Sequence, residues 1–298
     1  MVASRRYVTS AVFVINVHPM ARTSKAPNAI VKYYLLAYNV VACLGWSYIL
    51  FTLITHILSS TASPPANPKT SSILTRLLSS IPYLQSTPQV GLNLHPYLTP
   101  YLKRATTAFD KVGETTAWVQ TLAILEIIHA ALGLVRSPLG TTTMQVFSRL
   151  ALVWGIAEHY KVVRPPFPPF FSQQPNLTIT KARTNPLYAS MVLAWSLTEV
   201  VRYAFYAISL LSRPPYPLLY LRYTTFYLLY PLGAGSEAFL IYSTLPPWVG
   251  GVWTGVDYGR GLMFVIWWPA LFVLYTHMMG QRRKVLGGTG KGKSKKKE

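Results

Sequence analysis

The chain carries one cysteine, Cys43, and only eight acidic residues in 298. A lone cysteine excludes an intramolecular disulfide, a CxxC redox pair and a cysteine-based zinc site. Charge of either sign is also scarce, at 12% of residues, about half of the roughly 25% found in soluble domains. Against that stand 51% hydrophobic residues and a mean hydropathy of +0.29. Such a chain lacks the polar surface for a water-soluble fold, and its composition is that of a polytopic membrane protein. The shortage of acids leaves 28 Lys and Arg with a net charge of +20, but no nucleic-acid motif accompanies it. Eight of those bases lie in the last 17 residues, the pattern of a juxtamembrane segment facing anionic lipid.

Apolar runs of the roughly 20 residues needed to cross a bilayer as a helix predict an all-α integral membrane protein. Six spans are expected, at about 31–58, 116–135, 141–157, 186–211, 217–242 and 262–279. Six spans put both termini on one side, and the basic tail at 281–298 makes that side cytosolic under the positive-inside rule. Residues 1–30 read as a cytosolic, disordered extension: the apolar run Ala11–Val17 is short and is followed by His18 and Pro19, a poor secretory signal. Residues 59–115, rich in Ser, Thr and Pro, read as a long lumenal loop with room for one interfacial helix. Residues 31–280 are then the membrane domain. Asn39 and Gly45 in the first span suit a packed helix face. The proline-rich loop 158–185 carries the sequon Asn176-Leu177-Thr178, and Pro269 is expected to kink the last span.

Ionisable residues inside spans are costly and mark function by default. Arg136, Arg149, Arg202 and Arg222 all fall towards the cytosolic side of the expected topology, where a ring of arginines could dock a polyanionic head group. The bland alternative is that they pair with Glu126 and Glu199 or reach to the interface. In the fifth span Tyr230 and Glu237 are seven residues apart, nearly two turns, so both leave one face with a rise of roughly 10 Å between them. Pro231, Gly233 and Gly235 lie between, where they weaken the helix and admit close approach. A phenol and a carboxylate across a narrow dry gap form an acid–base pair. A transporter could also bury such residues, but the sequence has no internal repeat and no matched pair of broken helices. A non-enzymatic membrane scaffold or a transporter of acyl lipids stands as the alternative to an enzyme.

Four stretches share one resemblance: AYNVVACLGWSYIL at 37–50, LEIIHAALGLVRSPLGTTTMQVFSRLALVWGI at 125–156, LAWSLTEVVRYAFYA at 193–207 and LRYTTFYLLYPLGAGSE at 221–237. In this order they resemble the 3-hydroxyacyl-CoA dehydratase family of very-long-chain fatty acid elongation, also called protein tyrosine phosphatase-like. The resemblance implies a six-helix endoplasmic-reticulum membrane enzyme, enclosing a substrate tunnel, that converts (3R)-3-hydroxyacyl-CoA to trans-2-enoyl-CoA. It places the catalytic pair on Tyr230 of the LYP motif and Glu237 of the SE motif. The supporting arginine falls on Arg149, with Phe147 in place of the first serine of its SSR motif, and further matches fall on Arg222 of LRY and on Gly233. The implied reaction uses no metal or other cofactor, since the thioester supplies the activation. Its implied partners are a long-chain 3-hydroxyacyl-CoA, the lipid bilayer and the condensing enzyme, ketoreductase and enoyl reductase of the elongation cycle. The ending Lys295-Lys296-Lys297-Glu298 resembles a di-lysine retrieval signal. The family's other name suggests a phosphatase, whose signature is HCx5R. Here His129 and Arg136 keep the spacing but Ala130 stands where the thiol must be, and without a thiolate no phosphoenzyme can form.

Overall fold

The computed structural model describes residues 28–59, 98–135, 137–157 and 182–287. The described residues are helical, with no strand among them. In chain order the helices are α1 (Ala29–Leu58), α2 (Thr99–Ala105), α3 (Ala108–Thr121), α4 (Ile124–Ala131), α5 (Leu139–Leu152, ending in a π turn Val153–Ala157), α6 (Pro186–Leu211), α7 (Tyr216–Arg222), α8 (Phe226–Ser243) and α9 (Gly255–Leu286). By length and composition, α1, α6 and α9 are each able to cross a membrane.

α6 is the hub. Asn185 caps its start by accepting the Leu187 N–H at 3.0 Å, with Pro186 in the first turn, where its fixed φ suits a helix and its missing N–H costs nothing. Pro214 and Pro215 follow its end and forbid continuation. α1, α2, α3, α7 and α8 all pack on α6, and α9 packs on α8. On α1 the buried residues Leu35, Asn39, Ala42, Trp46, Ile49 and Leu53 recur every three or four positions, one stripe facing protein. Val40, Leu44, Tyr48 and Phe51 on the other side are exposed, as a lipid-facing surface should be. The predicted packed face of α1 is seen: Asn39 is buried and donates to the Leu35 carbonyl at 2.6 Å. A Cβ on Gly45 would stand 3.1 Å from Val119, so the missing side chain sets how close α1 and α3 come.

The helix boundaries differ from the sequence expectation in three places. First, the segment expected as loop up to residue 115 contains α2 and half of α3. α3 carries Asp110, Lys111 and Glu114, which hide it from a hydropathy scan, yet Phe109, Val112, Gly113, Thr116, Ala117 and Gln120 are buried in one stripe. Second, the run 116–135 is broken at Leu122-Ala123, where hydrogen bonds tighten to three-residue spacing. The Tyr38 hydroxyl donates to the Leu122 carbonyl at 3.3 Å and so gives the broken backbone a partner. Third, the run 217–242 bends at Tyr223-Thr224-Thr225 into α7 and α8, with the Thr225 hydroxyl and N–H both donating to the Leu221 carbonyl at 2.9 Å. α9 starts earlier than expected, where Thr254 and Asp257 form a reciprocal capping box before Gly255, and it runs on through Pro269 to end later, at Leu286. Residues 1–27, Arg136, the sequon at Asn176 and the tail from 288 lie outside the described residues.

Candidate active site

α8 carries Tyr230, Gly233 and Glu237 on the stripe that faces α6. Pro231 sits inside the helix and withdraws one N–H from its ladder, loosening the turn that bears Tyr230. Gly233 lies at the crossing with α6: a Cβ there would be 3.4 Å from Ala194 Cβ and 3.8 Å from Trp195 Cδ1. The two helices therefore approach closely between the phenol and the carboxylate. Glu237 is buried and Tyr230 half-buried, and the Tyr230 hydroxyl stands in the electrostatic field of both Glu237 and Arg149.

Neutral donors hold the Glu237 carboxylate. The Trp195 indole N–H on α6 donates to its Oε1 at 2.5 Å, and Trp267 on α9 faces the same group. Arg149, from α5, lays its guanidinium 4.9 Å from the centre of the Trp195 ring. Its ionic partner, however, is Glu199, to which it is directly hydrogen-bonded.

One turn further along α6 the charges are closed among themselves. Glu199 also accepts from Arg202 Nε at 2.6 Å. Arg202 grips Glu126 of α4 with both terminal nitrogens, at 2.9 and 2.7 Å, and the Tyr203 hydroxyl donates to Glu126 at 2.6 Å. Beyond Glu126, Tyr38 and Tyr34 of α1 stack edge-on to His129, with the Tyr34 hydroxyl 2.9 Å from His129 Nε2. Two arginines thus meet two glutamates, so for Arg149 and Arg202 the alternative of pairing with Glu126 and Glu199 is what the structure contains. Glu237 makes no ion pair among the described residues, although the Arg149 guanidinium is near enough to act on it electrostatically. A carboxylate stabilised by hydrogen bonds but not neutralised can take and release a proton.

Arg222 lies elsewhere. Its terminal nitrogen donates to the Tyr206 hydroxyl at 3.0 Å, and its guanidinium stacks 4.5 Å from the ring centres of Phe205 and Tyr206. Eleven residues of α6 separate Tyr206 from Trp195, a rise of roughly 16 Å, and no carboxylate pairs with Arg222 among the described residues. The expected ring of arginines is therefore not one cluster: Arg149 reaches the Tyr230–Glu237 corner, Arg202 reaches it only through Glu199, Arg222 marks the far end of α6, and Arg136 is outside the described residues. Trp195 and Trp267 were not foreseen. Trp195 precedes Glu199 by four positions, so the two share a face of α6, a signal that marks the indole as facing the polar interior. Nothing comparable marks Trp267. Cys43 offers no thiol chemistry at this corner, its sulfur lying 3.8 Å from the Val200 carbonyl on α6. The described residues hold no metal-binding cluster. An open apolar groove of about 220 Å³ lies between α1 and the α3–α4 break, lined by Tyr38, Val41, Leu122 and Leu125 among others, with no lining residue from α8.

The family model described as protein tyrosine phosphatase-like protein, PTPLA, matches residues 120–288, more than half of the chain. The chain belongs to this family. The family match spans every residue of the corner described above, from Arg149 to Trp267. Named relatives extend the likeness further. A very-long-chain (3R)-3-hydroxyacyl-CoA dehydratase of Caenorhabditis elegans is 35% identical over 276 residues, covering 88% of this chain and 99% of the relative. One from Mus musculus, very-long-chain (3R)-3-hydroxyacyl-CoA dehydratase 2, is 30% identical over 282 residues, covering 90% and 86%. A Schizosaccharomyces pombe protein named "probable very-long-chain (3R)-3-hydroxyacyl-CoA dehydratase" is 39% identical over 183 residues, covering 61% and 79%. No solved structure matches the chain.

Proposed function

We propose that this protein is a very-long-chain (3R)-3-hydroxyacyl-CoA dehydratase, a hydro-lyase that eliminates water to give trans-2-enoyl-CoA. The family relationship and the relatives' names support the reaction class. The observation that carries the site is the contrast in charge balance: Glu126 and Glu199 are closed by Arg149 and Arg202, whereas Glu237 accepts the Trp195 indole N–H and makes no ion pair among the described residues.

Elimination requires a base for a weakly acidic proton on C2, beside the thioester carbonyl, and an acid for the hydroxyl departing from C3. Glu237 takes the C2 proton, and the electron pair of that C–H bond becomes the second bond between C2 and C3. The C3–O bond breaks, and the hydroxyl leaves as water with the proton of Tyr230. The proton now on Glu237 returns to the tyrosinate, which restores both groups. Chemistry of this kind needs no redox partner, because substrate and product differ only by water. Gly233 contributes by letting α6 and α8 close on the gap.

With Arg149 and Arg202 committed to carboxylates, head-group docking falls to Arg222, whose guanidinium meets aromatic faces and one hydroxyl among the described residues. Arg222, the last residue of α7, packs on Phe205 and Tyr206 towards the end of α6, the cytosolic end in a six-span arrangement with both termini cytosolic. The acyl chain would run inward past Tyr230 and Glu237 into a tunnel between the helices. Residence in the endoplasmic-reticulum membrane, alongside the condensing enzyme, ketoreductase and enoyl reductase of fatty acid elongation, belongs to the same reading. It is supported by the lysines near the C-terminus and by three helices able to cross a bilayer.

The test is conversion of a long-chain (3R)-3-hydroxyacyl-CoA by the purified full-length protein beside Glu237→Gln and Tyr230→Phe. Activity in the parent that falls at least ~100-fold in both variants is the expected result. An active parent with unimpaired variants refutes the site, and a folded parent without turnover refutes the reaction.

A further inference from the structure

The indole that holds Glu237 is itself held from all sides. Trp195 is 2% exposed. The Arg149 guanidinium covers its ring at 4.9 Å, Trp46 of α1 meets it edge-on at 6.5 Å between centroids, and the bare Gly233 lies against its edge. Arg149 is in turn fixed by Glu199, and Glu199 by Arg202. A chain of fixed contacts therefore runs Glu199, Arg149, Trp195, Glu237, and its last link is made by a neutral donor, the Trp195 indole.

Neutrality matters chemically. An indole N–H donates one hydrogen bond and accepts none. It can fix the plane of a carboxylate and leave other lone pairs open, while adding no positive charge that would cancel the carboxylate's basicity. A lysine or arginine in the same place would orient Glu237 equally well but would weaken it as a base.

We propose that Trp195 is a positioning residue for the dehydration, its N–H holding the Glu237 carboxylate aimed at the substrate's C2 proton. Arg149 then supports turnover through the indole it covers and not by contact with the substrate. This rests on the dehydratase reading with Glu237 as base.

Packing and hydrogen bonding can be separated by replacing Trp195 with 3-benzothienylalanine, which keeps the shape of the ring and puts sulfur where the N–H was. Steady-state kinetics of the full-length protein in detergent, with a long-chain (3R)-3-hydroxyacyl-CoA, are measured beside the parent and Trp195→Phe. The expected result is a fall in kcat of about 10- to 100-fold in the isosteric variant, the scale of one hydrogen bond to a charged group, with KM nearly unchanged. In ¹⁵N-tryptophan spectra the Trp195 indole N–H resonance should move upfield in Glu237→Gln. Parental kcat in the isosteric variant overturns the proposal and leaves the dehydratase reading standing, as does a loss confined to KM or an indole resonance indifferent to Glu237. A folded parent without turnover overturns both.

Discussion

Glu199 and Glu237 are both buried carboxylates on neighbouring helices of one bundle, and they differ in what surrounds them. Glu199 stands between two guanidiniums, Arg149 and Arg202, and the second of these also closes Glu126. Glu237, on the next helix, receives an indole N–H and faces a phenol. In a low-dielectric interior an ion pair satisfies its members and fixes them as ions. A carboxylate that is hydrogen-bonded by a neutral donor and stands outside any ion pair keeps the option of changing protonation state. The contrast ties Glu199 to the architecture of α4, α5 and α6, and it is the ground for proposing Glu237 as the base.

Removing one member of the closed set should have the largest effect. Glu199→Ala strands Arg149 and leaves Arg202 with Glu126 alone, and breaking a buried pair in this way costs about 3–5 kcal/mol. A marked fall in the denaturation midpoint of the detergent-solubilised protein is expected, together with loss of turnover as Arg149 is released towards Glu237. A variant with parental stability would mean that the arginines find other partners and that the closed set is not structural. Next, Glu237→Gln should behave in the opposite way, losing at least ~100-fold in turnover while its denaturation midpoint stays near that of the parent, because no cation is stranded. If Glu237→Gln destabilised as much as Glu199→Ala, the distinction between the two carboxylates would collapse.

Arg222 sharpens the comparison from the far end of α6. Arg222 has no carboxylate partner among the described residues, and Arg222→Ala should raise KM for the CoA thioester roughly tenfold, about 1.4 kcal/mol of binding, and leave kcat within a few-fold. A fall in kcat alone would argue against a docking role. The smallest effect is expected at Gly233→Ala. A methyl there meets Ala194 at 3.4 Å, an ordinary contact, and alanine favours the helix by up to ~1 kcal/mol, so stability should change by no more than about that amount. Gly233→Leu, by contrast, should separate α6 from α8 and abolish turnover, as an assay of the two variants side by side would show.

Much of this was legible from residues alone. Composition marked a membrane protein. The uninterrupted apolar runs of α1, α6 and α9 announced themselves because each is long and nearly free of charge. Tyr230 and Glu237 could be read as one face from their seven-residue spacing, and the pairing of Glu199 with Arg202 from their separation of three. α3 was obscured because Asp110, Lys111 and Glu114 sit on its outer side, and hydropathy averages over faces that packing keeps apart. The breaks at Leu122-Ala123 and Tyr223–Thr225 were equally hidden. No proline or glycine marks either one, and the first is stabilised by the Tyr38 hydroxyl from a helix more than 80 residues earlier.

By itself the sequence determined that the chain enters a bilayer, that it is built of helices, and that a phenol and a carboxylate share one turn-weakened stripe, since hydropathy and helical periodicity are local properties. Which carboxylates are neutralised and which is left to neutral donors was decided only by tertiary structure. Arg149, Glu199 and Arg202 meet through side chains from α5 and α6 and Arg202 reaches α4, while Trp195 of the same α6 and Trp267 of α9 converge on Glu237. Charge compensation inside a membrane depends on distances in space, and no spacing along the chain encodes them.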